Sequence, residues 1–353
     1  DSPTNTNQGI TVNGFVKDGV GEPISGVAVI IKGKSAVTSG ADGSFSVAGV
    51  TTPYEIATIL STQKTAIVYK GLTRTDPTLL YTLGALGTAK NATITGTVPS
   101  ASAKRTLVFF VSGTTVFSAT ANSATGAYSI AALWYTSATS FVGKVYVLRW
   151  TAATSGFPTD YDAFGSKDLT ISATGTFTVN FSSGELTDPP EQTISGSVSR
   201  ASASYSLTNR ELYINFGNSI VALSSEVGTA PLADAFSITV PSVAGATYAI
   251  YAGAVQTATP NARSSYFYRA GIAAGTSGLT ITLAIAPQLT TPVNNGTSVD
   301  TTTSFLYSPG GAAGVHRVAI YPAIGTNPRF LIYTNESSFT IPNLASVGFG
   351  LPA

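Results

Sequence analysis

Short apolar alternations bounded by turn residues run the length of this chain, and the clearest series lies between Thr11 and Ile59. Val27, Val29 and Ile31 alternate with Ala28, Ile30 and Lys32, the period-two pattern of a half-buried strand. Gly, Pro, Asn, Asp and Ser close each run, as in Asp18-Gly19, Gly21-Glu22-Pro23 and Asp42-Gly43. Helical periodicity is scarcely found, so the pattern predicts an all-β chain with no helix beyond single turns.

The pattern repeats. Ile10-Thr-Val-Asn-Gly-Phe-Val16 is matched by Ala92-Thr-Ile-Thr-Gly-Thr-Val98 and by Gln192-Thr-Ile-Ser-Gly-Ser-Val198. The shared glycines are Gly14, Gly96 and Gly196, spaced at about one β-sandwich per repeat. A second strand follows in each copy, at 26–33, 105–113 and 210–217. A third landmark is an aromatic, Phe45, Tyr128 or Phe236, within Gly43-Ser-Phe-Ser-Val47, Gly126-Ala-Tyr-Ser-Ile130 and Asp234-Ala-Phe-Ser-Ile238. Three landmarks in one order, three times, predict three copies of one fold. A glycine inside a strand permits close backbone approach, and each aromatic is expected to enter its core as a hairpin closes.

The expected organisation is tandem Ig-like or transthyretin-like β-sandwich domains in a rod. Residues 1–9 read as an N-terminal tether, 10–90 as the first sandwich, 91–188 as the second and 191–286 as the third. Pro189-Pro190 fixes φ and predicts a stiff linker before the third. The tail, 289–353, predicts a first strand and turn at 292–299 and four more strands at 303–308, 315–322, 329–334 and 338–342. That is too few for a seven-strand sandwich, so either the protein continues or a neighbour supplies strands.

The first repeat resembles the carboxypeptidase regulatory-like family of transthyretin-like sandwiches. The matching residues are Gly14-Phe-Val16, Gly21-Glu-Pro-Ile-Ser-Gly-Val-Ala-Val29, Thr38, Asp42-Gly43-Ser-Phe-Ser-Val47 and Pro53-Tyr54. The tail resembles a fibronectin type III-like module at Pro292-Val-Asn-Asn-Gly296, Ser304-Phe-Leu-Tyr307 and Val318-Ala-Ile-Tyr321. The resemblance implies non-catalytic spacers and scaffolds of secreted and surface proteins. A related surface-protein class forms Lys–Asn or Lys–Asp isopeptide bonds. Lys17 is a conceivable donor there, although no clear acceptor stands on the last strand of its repeat.

Composition narrows the function. Charged residues are 10% of the chain, hydrophobic residues 43%, and the formal net charge is +1. Lys104-Arg105 is the densest basic pair, which excludes a clustered phosphate-binding surface and so a nucleic-acid partner. The chain has no cysteine, hence no disulfide, thiolate metal site or cysteine nucleophile. No apolar run is long enough to span a membrane. Asp1 at the start and the absence of methionine read as a mature chain after signal-peptide removal, extracellular or at the cell surface. A lipid anchor upstream of Asp1 fits that reading.

Candidate chemistry is sparse, and no cofactor motif is found. His316 is the sole histidine, and no Gly-x-Ser-x-Gly elbow accompanies it, so a solvated strand histidine is favoured over a catalytic one. Asp160, Asp162 and Asp168 are oxygen ligands of the kind calcium takes, but lack the glycine-punctuated loop; an exposed acidic loop is favoured. Asn91, Asn180, Asn295 and Asn335 head N-glycan sequons, which arise by chance in a chain this rich in Ser and Thr. Trp134, Tyr135, Trp150 and Tyr161 are candidates for stacking on sugar rings, weighed against core or inter-domain packing. The leading expectation is a structural or adhesive protein assembling into a filament, sheath or surface layer. It would self-associate through strand edges, aided by low charge and strand donation. A sugar-binding accessory region of a larger secreted protein is the alternative.

Overall fold

The computed structural model describes residues 9–60, 65–81, 86–151, 156–228, 231–257, 263–293, 299–308, 310, 314–322 and 329–350. Residues 1–8 of the expected 1–9 tether, Asn295 and most of the strand and turn expected at 292–299 therefore lie outside the described residues. The chain divides into two compact units. One comprises Asp1–Gly87, Tyr135–Ser137 and Pro287–Ala353; the other comprises Thr88–Trp134 and Ala138–Ala286.

The protein is all-β, built of β-sandwiches. In the first unit the strands are β1 (Ile10–Lys17), β2 (Val27–Ile31), β3 (Val37–Thr38), β4 (Ser44–Val50), β5 (Tyr54–Leu60), β6 (Ala66–Leu72) and β7 (Thr78–Leu80). β1 pairs antiparallel with β4 and parallel with β7, giving a three-stranded sheet β4-β1-β7. The facing sheet contains β6-β5-β2-β3.

The second unit repeats this order twice. Its first seven strands are β8 (Lys90–Thr97), β9 (Lys104–Ser112), β10 (Thr115–Thr120), β11 (Ala127–Trp134), β12 (Ser140–Thr151), β13 (Tyr161–Ser172) and β14 (Thr176–Thr178). They form sheets β11-β8-β14 and β10-β9-β12-β13. The next seven are β15 (Glu191–Ser199), β16 (Tyr205–Phe216), β17 (Ser219–Val227), β18 (Ala235–Pro241), β19 (Ala246–Gln256), β20 (Ser264–Ile272) and β21 (Leu279–Thr282). Their sheets are β18-β15-β21 and β17-β16-β19-β20. In all three copies the first strand sits between the fourth and the seventh. β16 begins five residues before the strand expected at 210, because a bulge at Leu207/Asn209 lets it pair with β19 from Tyr205 onward.

The repeated glycine and aromatic turn out to be one device. Gly14 lies opposite Phe45 in the ladder, Gly96 opposite Tyr128 and Gly196 opposite Phe236. Each aromatic is buried. A Cβ at Gly96 would stand 1.8 Å from the Val179 carbonyl oxygen, and one at Gly196 2.0 Å from that of Leu279. At Gly14 it would meet the Phe45 ring and the Pro77 carbonyl, both at 2.5 Å. The missing side chain lets the seventh strand approach while the aromatic covers the gap. The turn before the first aromatic needs positive φ only at Gly43 (φ 77°). There Asp42 Oδ1 accepts from the Ser44 hydroxyl and N–H, which holds the Asp42 carboxyl below its ordinary range.

The tail supplies β22 (Gln288–Thr291), β23 (Phe305–Ser308), β24 (His316–Ile320), β25 (Phe330–Thr334) and β26 (Ser338–Phe339). The unfinished fourth module takes an unexpected form. Only β22, β23 and β26 make a sheet of their own. β25 instead pairs in parallel with β6, and β24 with β25, extending the first module's sheet to β24-β25-β6-β5-β2-β3. The missing strands are thus β5 and β6 of the same unit.

That six-stranded sheet is buried on both faces. Ile56, Ile67 and Val29 face the core beneath β4-β1-β7. Ala57, Ile59, Ala66 and Val68 face the opposite way, into a second core with Phe305, Phe330, Ile332 and Phe339. Double-sided burial explains why β5 and β6 read as near-continuous apolar runs rather than clean alternations.

In the second unit, Pro189-Pro190 does not hold its two sandwiches apart. The inner face of β10-β9-β12-β13 packs its own core through Val108, Phe110, Val145 and Val147. Its outer face joins the core of the third module through Leu107, Phe109, Val111 and Leu148. Phe216 stacks on Tyr146 (centroids 4.3 Å) and lies 5.9 Å from Phe109. The Ser219 hydroxyl donates to the Gly113 carbonyl at 2.7 Å, and the Ser224 hydroxyl to that of Gly156 at 2.9 Å.

Candidate functional site

Three copies of one sandwich present three equivalent surfaces, the outer faces of their four-stranded sheets. The first two are covered within their own units, as described. The third, on β17-β16-β19-β20, is covered by no described residue, and its chemistry is different.

β16 directs Asn209, Glu211 and Tyr213 outward, because Leu212 and Ile214 between them fill the core. β19 directs Tyr251 and Gly253 outward, between the buried Ile250, Ala252 and Ala254. On β20, Tyr268 stands opposite Tyr251 and Tyr266 opposite Gly253. The four tyrosines therefore gather on one face. Tyr251 and Tyr266 stack with centroids 5.5 Å apart and planes 19° apart. Tyr213 and Tyr268 meet edge to face at 5.9 Å.

Gly253 is what lets Tyr266 lie down. A Cβ there would be 2.8 Å from the Tyr266 ring and 2.6 Å from Asn209 Oδ1. Glu211 organises the polar side of the patch: it accepts from the Tyr213 hydroxyl and, at 3.0 Å, from Asn209 Nδ2. Burial and the Glu211 carboxylate raise the Tyr213 pKa well above the ordinary phenol value, and burial raises that of Tyr251. These tyrosines are hydrogen-bonding groups at neutral pH, not bases.

β20 is also a sheet edge. It pairs with β19 on one side, and no described strand pairs with the other. Tyr266, Phe267 and Tyr268 are 55%, 40% and 39% exposed, and Arg269 is the strand's only charged residue. A long edge with aromatics on both faces and one charge is a template for another strand. Other described edges differ: β3 has two residues and β10 six, β13 has twelve but carries Asp162, Lys167 and Asp168, and β17 has nine but no aromatic. The pattern Ser265-Tyr-Phe-Tyr268 was visible in the sequence, but nothing local distinguished it from a core strand.

The residues proposed for sugar stacking are placed elsewhere. Trp134, Trp150 and Tyr161 are buried, at 4%, 2% and 1% exposure, and Tyr135 is half-buried. Trp134 serves the second module's core and donates Nε1–H to the Ala138 carbonyl at 2.9 Å. Trp150 and Tyr161 lie in the shared core between the second and third modules. They present no row of exposed rings: Trp134 takes the inward parity of β11, which is covered on one side, and Trp150 and Tyr161 lie on the outer face of a sheet covered on both.

The remaining candidates are structural in this arrangement. Asp160 and Asp162 both pair with Lys104, and Asp162 also with Arg149 at 2.9 Å. Asp168 pairs with Lys144. Among the described residues, no three His, Cys, Asp or Glu groups are placed to hold a metal. His316 lies against Tyr307, edge to face at 5.2 Å. Lys17 is half-buried beside Leu80 and contacts no described Asn or Asp side chain. The close lysine–carboxylate pair of that module is instead Lys70 with Glu55, at 7% and 14% side-chain exposure. Asn91, Asn180 and Asn335 are exposed. No described helix is long and apolar enough to cross a membrane.

No family model matches the chain, and no curated protein matches it. Among solved structures it is similar to the Bacillus anthracis TIE protein, at 10% identity, covering 78% of this chain and 50% of that one, with a TM-score of 0.19. It is similar to the pilus adhesin SpaC from Lactobacillus rhamnosus GG at 13% identity, covering 77% and 42%, TM-score 0.14. It is also similar to a streptococcal ancillary pilin at 7% identity, covering 77% and 99%, TM-score 0.17. The chain spans half or less of the first two of these proteins. Likeness this slight leaves function to the chain's own surface.

Proposed function

We propose that this is a non-catalytic structural or adhesive protein of the bacterial surface, engaging its partner through the open face and free edge of the third module. One observation carries the reading. The same sheet face occurs three times, and the described residues cover it twice and leave it open once, lined with tyrosines. Low charge, abundant Ser and Thr and the lack of a catalytic constellation support the extracellular, non-enzymatic part. The repeated seven-strand order supports kinship of the modules with carboxypeptidase regulatory-like repeats.

The favoured occupant is a second copy of the chain, pairing along β20 to build a filament or layer. The tail strands are already engaged in cis, so assembly by donation of β25 would require exchange between copies. Edge pairing at β20 requires none. Sedimentation of the full chain over a wide concentration range, with negative-stain microscopy, tests this. Self-association lost in Phe267→Lys is expected, since a charge on an edge strand blocks pairing. A wild-type chain that stays monomeric at every concentration overturns it.

A glycan partner is the second reading, favoured by the near-parallel Tyr251 and Tyr266 rings beside Glu211 and Asn209. Aromatic faces take the C–H face of a sugar, and the polar neighbours take its hydroxyls. Tyr251→Ala would abolish glycan binding while sparing edge pairing; Phe267→Lys would do the reverse.

A further inference from the structure

The first unit holds a second feature that the tyrosine face does not explain. Two adjoining clefts, of about 390 and 330 Å³, meet at the turn between β2 and β3, and Lys32, Gly33, Lys34 and Glu55 line both. The larger opens between that turn and the segment after β26. Its volume lies in the range of small-ligand sites, roughly 300–1,000 Å³.

The lining is divided by chemistry. Ile31, Ala57, Ile341 and Leu344 give an apolar base, each itself buried. Thr301, Thr340 and Ser346 bring hydroxyls to the rim. Asn343 Oδ1 is engaged by the Ala345 N–H at 3.1 Å, which leaves its amide N–H groups to donate.

The charges do not balance. Glu55, the one carboxylate of the larger cleft, is held by Lys70 on the neighbouring strand. Lys32 and Lys34 are exposed and have no acidic partner among the described residues. Gly33 between them has φ 80° and nothing within 4 Å of its Cβ position, so the turn itself borders open space, while the Lys34 ammonium reaches over Gly49, 3.2 Å from where a Cβ would stand there. In a chain with one charge in ten residues, two unpaired ammonium groups at a cleft mouth are a local exception.

We propose that this cleft binds an acidic saccharide, its carboxylate taken by Lys32 and Lys34, its hydroxyls by the Thr340, Ser346 and Asn343 side chains, and its C–H face by the apolar base. Inorganic anions would lack the last two contacts, and neutral sugars the first. The site is independent of the tyrosine face, so either can fail without the other.

Isothermal titration of the full chain separates the outcomes. The probes are an oligogalacturonide, the matching neutral galacto-oligosaccharide and sodium sulfate. The expected result is saturable binding of the oligogalacturonide alone, weakened about tenfold or more in Lys32→Gln/Lys34→Gln, since charge-assisted hydrogen bonds are lost. Both lysines are exposed, so the variant should fold, and an unchanged thermal transition would verify it. Tyr251→Ala should leave this binding untouched. Equal binding of sulfate would reduce the cleft to a nonspecific lysine patch, and equal binding of the neutral sugar would remove the lysines from recognition. Either result, or no binding, overturns the proposal.

Discussion

The second and third modules carry the same seven strands in the same order, yet the outer faces of their four-stranded sheets have opposite fates. On the second, Phe109, Leu148 and Trp150 are at most 2% exposed, packed against the third module. On the third, Tyr213, Tyr251, Tyr266 and Tyr268 occupy the corresponding face and reach solvent, interleaved with Asn209 and Glu211. Fold dictates that a face exists; side-chain chemistry dictates whether the chain can bury it. A phenylalanine or leucine face is unfavourable in water and is closed intramolecularly. A tyrosine face with a carboxylate and an amide tolerates water and is equally suited to a partner.

The strongest way to break this comparison is to strip a covered face of its cover. Phe330 on β25 is 1% exposed and packs across the first module's sheet. Phe330→Ala should cost about 3–5 kcal/mol. Hydrogen exchange should then speed up in β6 and β25 while the second unit's strands keep their protection. Unchanged exchange in β6 would mean the tail is not part of that core. Phe216→Ala comes next, at about 3 kcal/mol, because that ring packs against Tyr146, Phe109 and Phe164. Denaturant unfolding should show the loss, and a cost below about 1 kcal/mol would deny that the two sandwiches share a core.

Titration sharpens the contrast further. Tyr128 is buried, donates to the Val179 carbonyl at 2.5 Å, and burial pushes its pKa up to about 12. Between pH 10 and about 12 the folded state keeps this proton while the unfolded chain, titrating near 10, gives its own up. Stability from this group is thus complete below pH 10 and declines as pH rises to 12, by about 2–3 kcal/mol. Tyr128→Phe should show a shallower decline across that window. Identical slopes would refute the assignment. Smallest is the effect on the open face: Tyr251→Ala should change stability by about 1 kcal/mol or less. A much larger loss would show that the tyrosines are held as core rather than presented for binding.

Much of the fold was legible. Gly14, Gly96 and Gly196, with Phe45, Tyr128 and Phe236, marked three copies because a close backbone approach and its aromatic cover leave a fixed local signature. The candidate site was not. Trp134, Trp150 and Tyr161 looked as available as Tyr251 and Tyr266, since alternation gives the parity of a residue but not what stands on the other side of the sheet. β5, β6 and β9 hinted at double burial, through apolar runs such as Ile56-Ala-Thr-Ile59 and Leu107-Val-Phe-Phe-Val111.

Local pattern alone therefore determined the all-β class, the strand-by-strand turns and the threefold repeat, because these depend on neighbours a few residues away. The tertiary structure decided which faces are closed. It brought Phe330 onto Ala66 across more than 250 residues of chain and seated Phe216 on Tyr146. It also left the Tyr266 edge unpaired among the described strands. Contacts of that separation depend on how whole sheets stack, and a two-residue period carries no record of it.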